Sequence, residues 1–223
     1  MKIGIFDSGR GGELIADGVQ KLLPMHEYLV VNDRENVPYG SRSDAEIISL
    51  TDAAIRRLLD GGCPIIIIAC NTATMAGIET LRSRHPDIKF VGTEPMIKPA
   101  ALDSTTKKII VLGTPLTMKS VRYAELKAVF ARELQVVEPD TTSWAARIES
   151  GDAKSILFDE LEALVRDGYD TIVLACTHYL ALNERLQTEL PNTLVLEPTK
   201  AIARQAERLA KDVPQPEPTH RCD

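Results

Sequence analysis

The sequence predicts an α/β fold of two similar domains, each a four-stranded parallel sheet flanked by helices, related by an internal pseudo-symmetry. Short β-rich runs alternate with longer amphipathic stretches, which is the pattern of parallel strands joined by crossover helices. The β-rich runs form two sets of four, which start at residues 2, 28, 65 and 88 and at residues 108, 134, 171 and 194. A constant offset of 106 residues relates the two sets and indicates an internal repeat.

Each predicted element is an apolar run or an amphipathic stretch, and turn or capping residues lie between many of them. The predicted strands are 2–6, 28–32, 65–69, 88–91, 108–112, 134–137, 171–175 and 194–196. The predicted helices are 13–23, 44–59, 74–84, 116–132, 153–167, 180–190 and 200–211. We assign 1–92 plus 199–223 to the first domain and 93–198 to the second, with the candidate site between them. Residues 214–223 are predicted to be a frayed polar tail.

Composition and charge exclude several classes of protein. The 223 residues are 44% hydrophobic, which is enough to bury a core, and the net charge is −6. Because the basic residues are scattered, we expect no nucleic-acid partner. The apolar run at 65–70 is far shorter than the roughly 20 residues of a membrane span, and the start MKIGIFDSG lacks a signal-peptide cleavage pattern. We therefore expect a cytoplasmic protein without a membrane partner.

The four cysteines are candidates for chemistry rather than for disulfides. Cys63, Cys70, Cys176 and Cys222 are too few and too widely spaced for a secreted disulfide scaffold, and no CxxC pair suggests zinc. A single buried cysteine that ends a strand is usually a small core residue. The repeat reverses that interpretation for Cys70 and Cys176, whereas we assign no chemistry to the other two cysteines.

The offset of 106 residues also superposes two sets of polar residues. It carries Asp7 and Ser8 onto residues 113–114, and it carries Cys70 onto Cys176. In parallel sheets, ligands bind outside the carboxyl ends of the strands, where all of these residues are predicted to lie. Two halves that face each other would therefore hold a ligand between two cysteines.

Two opposed thiols suit the inversion of an amino-acid α-carbon. That reaction removes a proton from one face and returns a proton to the other face, which calls for two acid/base groups. A helix N-terminus or a charged neighbour lowers the pKa of a thiol, and a helix is predicted after each cysteine. Hydroxyls and turn amides are suitable donors to stabilise the developing carbanion.

Five segments of the chain carry a family resemblance. IGIFDSGRGG, VPYGS, ACNTA, GTPLTMKS and ACTHY, in this order and spacing, resemble the glutamate racemases of the aspartate/glutamate racemase superfamily. The resemblance implies two similar α/β domains with the active site between them and neither a metal nor a pyridoxal cofactor. It also implies a homodimer whose substrate is glutamate and which supplies D-glutamate for peptidoglycan.

The resemblance also assigns roles to individual residues. It implies that Cys70 and Cys176 are the catalytic thiols, that Asp7 and His178 assist proton transfer, and that Glu149 lies near the second thiol and the histidine. Asp7 and His178 are also expected at the substrate. The other residues implied around its ammonium and carboxylate groups are Ser8, Pro38, Tyr39, Gly40, Ser41, Asn71, Thr72 and Thr177, with Thr114 and Thr117 close by.

Some positions depart from the family pattern. Arg10 and Glu13 are charged where the family usually has apolar residues, so either they pair with each other or Arg10 alters substrate preference or the electrostatics of the pocket. Ala175 replaces a usual glycine and Leu180 a usual proline, and both changes are expected to tighten or shift the site around Cys176.

Two alternatives to a glutamate racemase stay open from the sequence. One is a racemase of another acidic amino acid, specific for aspartate or of broad specificity, and Arg10 is its sequence support. The other is a catalytically silent ligand-binding member, which would tolerate loss of one thiol. His178 discriminates against aspartate racemases, which usually carry a glutamate at that position. The glycines near the N-terminus match neither phosphate-binding motif, so no nucleotide cofactor is expected.

Overall fold

The chain forms two four-stranded sheets, and all of their strand pairs are parallel. This description rests on a computed structural model and covers residues 1–213, so the predicted tail at 214–223 and Cys222 lie outside it. The strands of the first sheet are β1 (Lys2–Asp7), β2 (Glu27–Asn32), β3 (Ile65–Ile68) and β4 (Lys89–Gly92). Those of the second are β5 (Lys108–Gly113), β6 (Gln135–Val137), β7 (Thr171–Ala175) and β8 (Leu194–Leu196).

The two sheets repeat one topology. Their strand orders are β2-β1-β3-β4 and β6-β5-β7-β8, which confirms the predicted fold class. The central pairing keeps the offset of the sequence, since Ile3 lies opposite Ile65 and Ile109 lies opposite Thr171. The repeat therefore extends from the sequence to the strand register at the centre of each sheet.

Helices cover both faces of each sheet. Between the strands and after them lie α1 (Gly11–Leu22), α2 (Asp44–Asp60), α3 (Asn71–Arg84), α4 (Ile97–Asp103), α5 (Pro115–Lys119), α6 (Val121–Phe130), α7 (Trp144–Glu149), α8 (Asp159–Arg166), α9 (Asn183–Glu189) and α10 (Thr199–Lys211). Short 3₁₀ turns lie at Tyr39–Ser41, Ala153–Ser155 and Thr177–Leu182. We call β1–β4 with α1–α3 and α10 the first lobe, and the remaining elements the second lobe.

Three predicted helices differ from those of the structure. The predicted helix 116–132 is two helices, because Ser120 ends α5 and its side chain accepts the backbone N–H of Tyr123 to cap α6. The predicted helices 153–167 and 180–190 are each a 3₁₀ turn next to a shorter α-helix. Helices α4 and α7 were not predicted.

The cores lie against the central strands. The four residues of β3 are all isoleucines and all fully buried, because helices cover both faces of the sheet. Helix α10 returns from the second sheet to pack on α1, β3 and β4, so the chain crosses between the lobes twice. No helix within residues 1–213 is long and apolar enough to cross a membrane.

The lobes contact each other through related segments. The turn Thr177–Leu182, which follows Cys176, packs against α1, and Leu180 packs against the core of the first lobe. Conversely, α5 of the second lobe contacts α3, which follows Cys70, and Leu116 packs against the first-lobe core. Each lobe thus places the helix after its first strand against the segment that follows the other lobe's cysteine.

Candidate active site

A cavity lies between the lobes at the carboxyl ends of the central strands. Of the predicted site residues, those that line it are Ser8, Pro38, Tyr39, Gly40, Ser41, Cys70, Asn71, Thr72, Thr114, Cys176, Thr177 and His178. Three predicted residues, Asp7, Thr117 and Glu149, lie behind this wall and contact residues that line it. Sequence analysis missed the remaining lining residues, which are Val37, Pro115, Thr142, Ala145 and Ala146.

Cys70 stands at the end of β3 and at the start of α3. Its Sγ lies 3.2 Å from Ser8 Oγ and accepts the backbone N–H of Ala73 at 3.4 Å. Burial and, after it, the charge of Asp7 raise the pKa of the Cys70 thiol to about 11, although hydrogen bonds from Ser8 and Ala73 act in the opposite direction. The N–H of Ala73 at the helix N-terminus lowers this pKa, as expected, but burial outweighs it, so the expected net lowering is wrong.

Asp7 ends β1 and links the two lobes. Its Oδ1 accepts the backbone N–H of Gly9 at 2.8 Å, and its Oδ2 accepts the hydroxyl of Thr177 at 2.9 Å. The side chain is fully buried, and burial raises the pKa of this carboxyl, with the nearby His178 acting in the opposite direction. A buried carboxyl with a raised pKa is a competent proton acceptor at neutral pH.

Cys176 follows β7 and begins a chain of three polar groups. Its Sγ lies 3.7 Å from His178 Nδ1, and His178 Nε2 lies 2.8 Å from Glu149 Oε2. The same carboxylate oxygen of Glu149 accepts the backbone N–H of Arg10 at 3.0 Å. This hydrogen bond joins the first lobe to the pair formed by His178 and Glu149. Burial is the largest cause that raises the pKa of the Cys176 thiol, followed by the proximity of Cys70.

The cavity wall offers neutral hydrogen-bonding groups. Both amide atoms of Asn71 are buried and have no partner among the described residues, although the side chain lines the cavity. No lysine or arginine is among the lining residues within 1–213. An anionic ligand would therefore be held by amides and hydroxyls rather than by a cationic side chain.

The wall at residues 38–41 is held from behind by Asp33. Tyr39 lines the cavity, but its hydroxyl donates to Asp33 Oδ2 at 2.7 Å. Asn36 Nδ2 donates to both oxygens of the same carboxylate, at 2.9 and 3.1 Å. Tyr39 thus presents its ring to the cavity while its hydroxyl is bonded away from it.

The structure shows what Arg10 and Glu13, the two charged residues that differ from the family pattern, contact. Glu13 pairs with Arg34, with an O–N distance of 2.5 Å, so the predicted pairing of Arg10 with Glu13 is wrong. Arg10 is exposed, and its side chain is not among the lining residues of the cavity. Its backbone N–H, rather than its charge, reaches the site through Glu149.

The site has no cluster typical of a metal centre in the part of the chain that the structure describes. No group of three or more His, Cys, Asp or Glu side chains within residues 1–213 is arranged to hold a metal ion. The titratable groups at the cavity instead form the two sets built on Cys70 and Cys176.

Two similar α/β lobes with two thiols in the wall of one cavity between them are the arrangement expected of a racemase. A family model described as Asp/Glu/Hydantoin racemase matches residues 13–206, which is most of the chain. The chain belongs to this family of racemases.

Several relatives of this chain are named glutamate racemases. The protein from Herpetosiphon aurantiacus is 38% identical over 213 residues, which are 93% of this chain and 84% of that protein. The protein from Pseudomonas aeruginosa is 36% identical over 93% of this chain and 80% of its own length. A crystal structure of Escherichia coli glutamate racemase in complex with L-glutamate and the activator UDP-MurNAc-Ala superposes with a TM-score of 0.85. The two chains are 31% identical, and the matched region covers 97% of this chain and 84% of the E. coli chain.

Proposed function

We propose that this chain is a cofactor-independent glutamate racemase, which interconverts L- and D-glutamate by a two-thiol mechanism. The observation that carries the proposal is the pair of buried thiols, Cys70 and Cys176, at the ends of equivalent strands and in the wall of one cavity. Relatives named glutamate racemases, with 36–38% identity over 93% of this chain, support glutamate as the substrate.

In each direction, one sulfur acts as a thiolate base and the other as a thiol acid. The thiolate takes the α-proton as the Cα–H bond breaks, and the thiol on the opposite face gives its proton to the carbanion. After one turnover the two sulfurs have exchanged protonation states. The reverse reaction uses the same two groups in the opposite roles, so either enantiomer is a substrate.

Neighbouring groups are needed to form the thiolate, because burial raises the pKa of both thiols. For Cys70 the acceptor is Asp7, whose own pKa is raised by burial and whose charge acts on that thiol. For Cys176 the acceptor is His178, and Glu149 holds the imidazole in place from the far side. The hydrogen bond from Thr177 to Asp7 keeps the two sets aligned across the lobes.

The substrate's carboxylates and ammonium group would be bound by the neutral groups of the wall. The unpartnered amide of Asn71 is one such group, and the hydroxyls of Thr72 and Thr114 also line the cavity. Gly40 and Ser41 approach from the turn after Pro38. These assignments follow the matching motifs of the family residue by residue.

The family resemblance supports further proposals about the whole protein. We propose that it works in the cytoplasm, forms a homodimer and supplies D-glutamate for peptidoglycan. The division into domains at 1–92 plus 199–223 and at 93–198 is supported by α10, which packs on the first sheet. Light scattering coupled to size-exclusion chromatography tests the dimer, and a mass of about 24.5 kDa would contradict it.

Circular dichroism with L-glutamate, D-glutamate and L-aspartate in parallel tests the function. With reduced thiols and no added cofactor, we expect the signal of both glutamate enantiomers to decay to zero while that of aspartate persists. Prior treatment with EDTA is expected to leave the rate unchanged, since no step of the mechanism uses a metal. Silence on both glutamate enantiomers would contradict the proposal, and turnover of aspartate would make the enzyme a broader acidic amino-acid racemase.

A further inference from the structure

Two neighbouring residues after the second thiol hold the two ends of one segment of the second lobe. The segment runs from Thr141 to Glu149 and contains α7, and we call it the α7 segment. Tyr179 holds its first residue, since the phenol oxygen lies 3.0 Å from both the carbonyl oxygen and Oγ1 of Thr141. His178 holds its last residue, since Nε2 lies 2.8 Å from Glu149 Oε2.

The α7 segment borders the cavity, but it is held from outside the cavity. Its residues Thr142, Ala145 and Ala146 line the cavity. Thr141 and Tyr179 do not line it, and both are buried in the second lobe. A displacement of the segment would therefore move both the cavity wall and the carboxylate that holds the imidazole.

Thr141 connects the α7 segment to the central strands of the second sheet. Its hydroxyl donates to the backbone carbonyl of Gly113 at 2.7 Å. Gly113 ends β5 and lies opposite Ala175, the residue before the second thiol. Because the hydroxyl hydrogen of Thr141 is used in that bond, the phenol of Tyr179 is the donor in its contacts with Thr141. The two hydrogen bonds join β5, the α7 segment and the turn after Cys176.

Aromatic packing holds α7 against the core of the lobe. Trp144, the only tryptophan of the sequence, packs edge-on against Tyr179, with ring centroids 5.7 Å apart. Its ring also lies 6.1 Å from that of Phe158. Apolar burial is not directional, whereas a hydrogen bond is. The packing therefore keeps α7 in the core, and the phenol hydroxyl fixes where its segment begins.

We infer that Tyr179 is a positioning residue, which aligns Glu149 with His178 by fixing the start of the α7 segment. The carbonyl of Thr141 that accepts the phenol also accepts the backbone N–H of Trp144, the first residue of α7. A shift of that carbonyl is therefore passed through the helix to Glu149, its last residue. The inference rests on the proposed function, since it needs the imidazole to accept a proton from the second thiol.

Tyr179 is also close to the second thiol, which gives an alternative route for its effect. Its backbone N–H donates to the carbonyl oxygen of Cys176 at 3.1 Å. If the phenol acted through the position of the thiol, its removal would slow turnover whether or not residue 149 carries a carboxylate. If it acts through Glu149, its removal has little further effect once that carboxylate is gone. The two routes therefore differ in a double-mutant cycle.

The test is the cycle of Tyr179→Phe and Glu149→Gln. Phenylalanine keeps the ring against Trp144 and removes the hydroxyl, whereas glutamine keeps the length of the side chain and removes its charge. Tyr123→Phe is the matched control, because Tyr123 is also fully buried in the second lobe and its hydroxyl donates to Glu138 at 2.9 Å, but it does not line the cavity.

Three properties are measured for each variant. Circular dichroism gives kcat and KM for both glutamate enantiomers, and thermal unfolding gives the melting temperature. Quenching of tryptophan fluorescence by acrylamide reports how well α7 is packed, because Trp144 is the only tryptophan and lies on that helix.

We expect Tyr179→Phe to lower kcat about 10-fold, which is less than the roughly 100-fold effect of a misplacement of about 1 Å, because the ring packing still holds α7. KM is expected to change by less than about threefold, since proton transfer is more sensitive to a small shift than the contacts of the wall are. In the Glu149→Gln background, Tyr179→Phe is expected to lower kcat by less than about twofold. Acrylamide quenching should rise in both backgrounds.

Tyr123→Phe is expected to lower the melting temperature while kcat stays within about twofold of the wild type and the quenching stays unchanged. Thr141→Val provides a second cycle with Glu149→Gln if the Tyr179→Phe variant does not fold. It removes the bond to Gly113 and one acceptor of the phenol, so its loss of kcat should also depend on the carboxylate at residue 149.

The outcomes separate the two proposals. If the wild-type protein neither binds nor racemises glutamate, the proposed function fails, and the inference fails with it. If the wild type is active and Tyr179→Phe lowers kcat equally with and without Glu149→Gln, only the inference is overturned. Wild-type kcat in Tyr179→Phe, or an equal loss of kcat in Tyr123→Phe, would also overturn the inference and leave the proposed function intact.

Discussion

At the scale of single residues, the two thiols are chemically alike but have different neighbours. Cys70 sits between Ser8 and the N-terminus of α3, whereas Cys176 faces the imidazole of His178. Burial raises the pKa of both thiols, which favours their neutral form at pH 7.

Replacing either thiol tests the mechanism directly. We expect Cys70→Ser and Cys176→Ser each to lower kcat by about 10²- to 10⁴-fold in both directions, because a serine hydroxyl is a far weaker acid than a thiol, so it neither forms the anion that takes the α-proton nor readily gives its own proton. Cys63→Ser is the matched control, since Cys63 is also a buried cysteine, at the end of a turn before a strand, but does not line the cavity. Circular dichroism with each glutamate enantiomer measures the rates. Full activity of either single variant would exclude the two-thiol mechanism.

The sequence predicted the thiols and polar residues of the cavity wall better than its apolar residues. The thiols and the polar turns were found because the repeat places them at matching strand ends. Val37, Ala145 and Ala146 have no distinctive chemistry, and only the fold brings them to the wall. The direction of the pKa shift of the two thiols could not be predicted from the sequence either, because it depends on how deeply each sulfur is buried.

At the scale of elements, strands were easier to predict than helices. The buried central strands are continuous apolar runs, and their register follows the repeat. Helix α7 was missed because it has only six residues, too few for a clear helical period. The segment 116–132 has the composition of one helix, but Ser120 competes as a cap and divides it. Such local hydrogen bonds are decided by geometry that composition does not reveal.

One carboxylate fixes the turn that leads into the second sheet. Asp170 precedes β7 and accepts from Ser104 Oγ at 2.6 Å and from the backbone N–H groups of Thr105 and Thr106 at 2.8 Å. It also accepts from the hydroxyls of Thr105 and Thr171, at 2.8 and 2.9 Å. These hydrogen bonds hold the pKa of Asp170 well below its usual value.

We expect Asp170→Asn to lower the free energy of unfolding by about 2 kcal/mol, because an amide oxygen replaces a charged acceptor of several bonds. Urea unfolding at neutral pH measures the change, and Asp167→Asn, an exposed position with the same change of charge, is the control. The difference in the free energy of unfolding between the wild type and Asp170→Asn is expected to shrink as the pH falls toward the lowered pKa of Asp170. Protonation of the carboxylate removes the charged acceptor. Equal midpoints for Asp170→Asn and the wild type would contradict this account.

At the scale of the whole molecule, the approach of the two lobes depends on a glycine. Gly11 begins α1 and lies directly against Thr177, the residue after Cys176. A Cβ added at Gly11 would lie 2.6 Å from the backbone carbonyl carbon of Thr177. That atom cannot rotate away, so any larger residue must push the second lobe outward.

We therefore expect Gly11→Ala to lower kcat by about 100-fold, since a misplacement of about 1 Å between reacting groups has an effect of that size. Gly61→Ala is the control, because the nearest atom to a Cβ there, at 2.6 Å, is the end of the Leu29 side chain, which is able to move, and the nearest backbone atom is 3.2 Å away. The melting temperature of Gly11→Ala is expected to stay near that of the wild type if each lobe keeps its own core. Wild-type kcat in Gly11→Ala would show that the lobes need not approach this closely for turnover.

The buried acidic groups of both lobes also set how stability depends on alkaline pH. Burial raises the pKa of the thiols of Cys70 and Cys176 and of the phenols of Tyr39, Tyr123 and Tyr179. In the unfolded chain these groups release their protons near their ordinary pKa values of 9.0 for cysteine and 10.0 for tyrosine. Above pH 9 the unfolded state therefore binds fewer protons than the folded state, and stability falls as the pH rises.

Each such group is expected to remove roughly 1.4 kcal/mol of stability per pH unit while only its unfolded form is ionised. For Cys70 this loss runs from pH 9.0 to its folded pKa of about 11, while the tyrosines begin to contribute near pH 10. Urea midpoints at pH 7.5, 9 and 10.5 measure the effect. The double variant Cys70→Ser, Cys176→Ser should lose less stability between pH 9 and 10.5 than the wild type, because serine does not ionise in that range. Parallel losses in the two proteins would mean that the thiols are not held neutral by the fold.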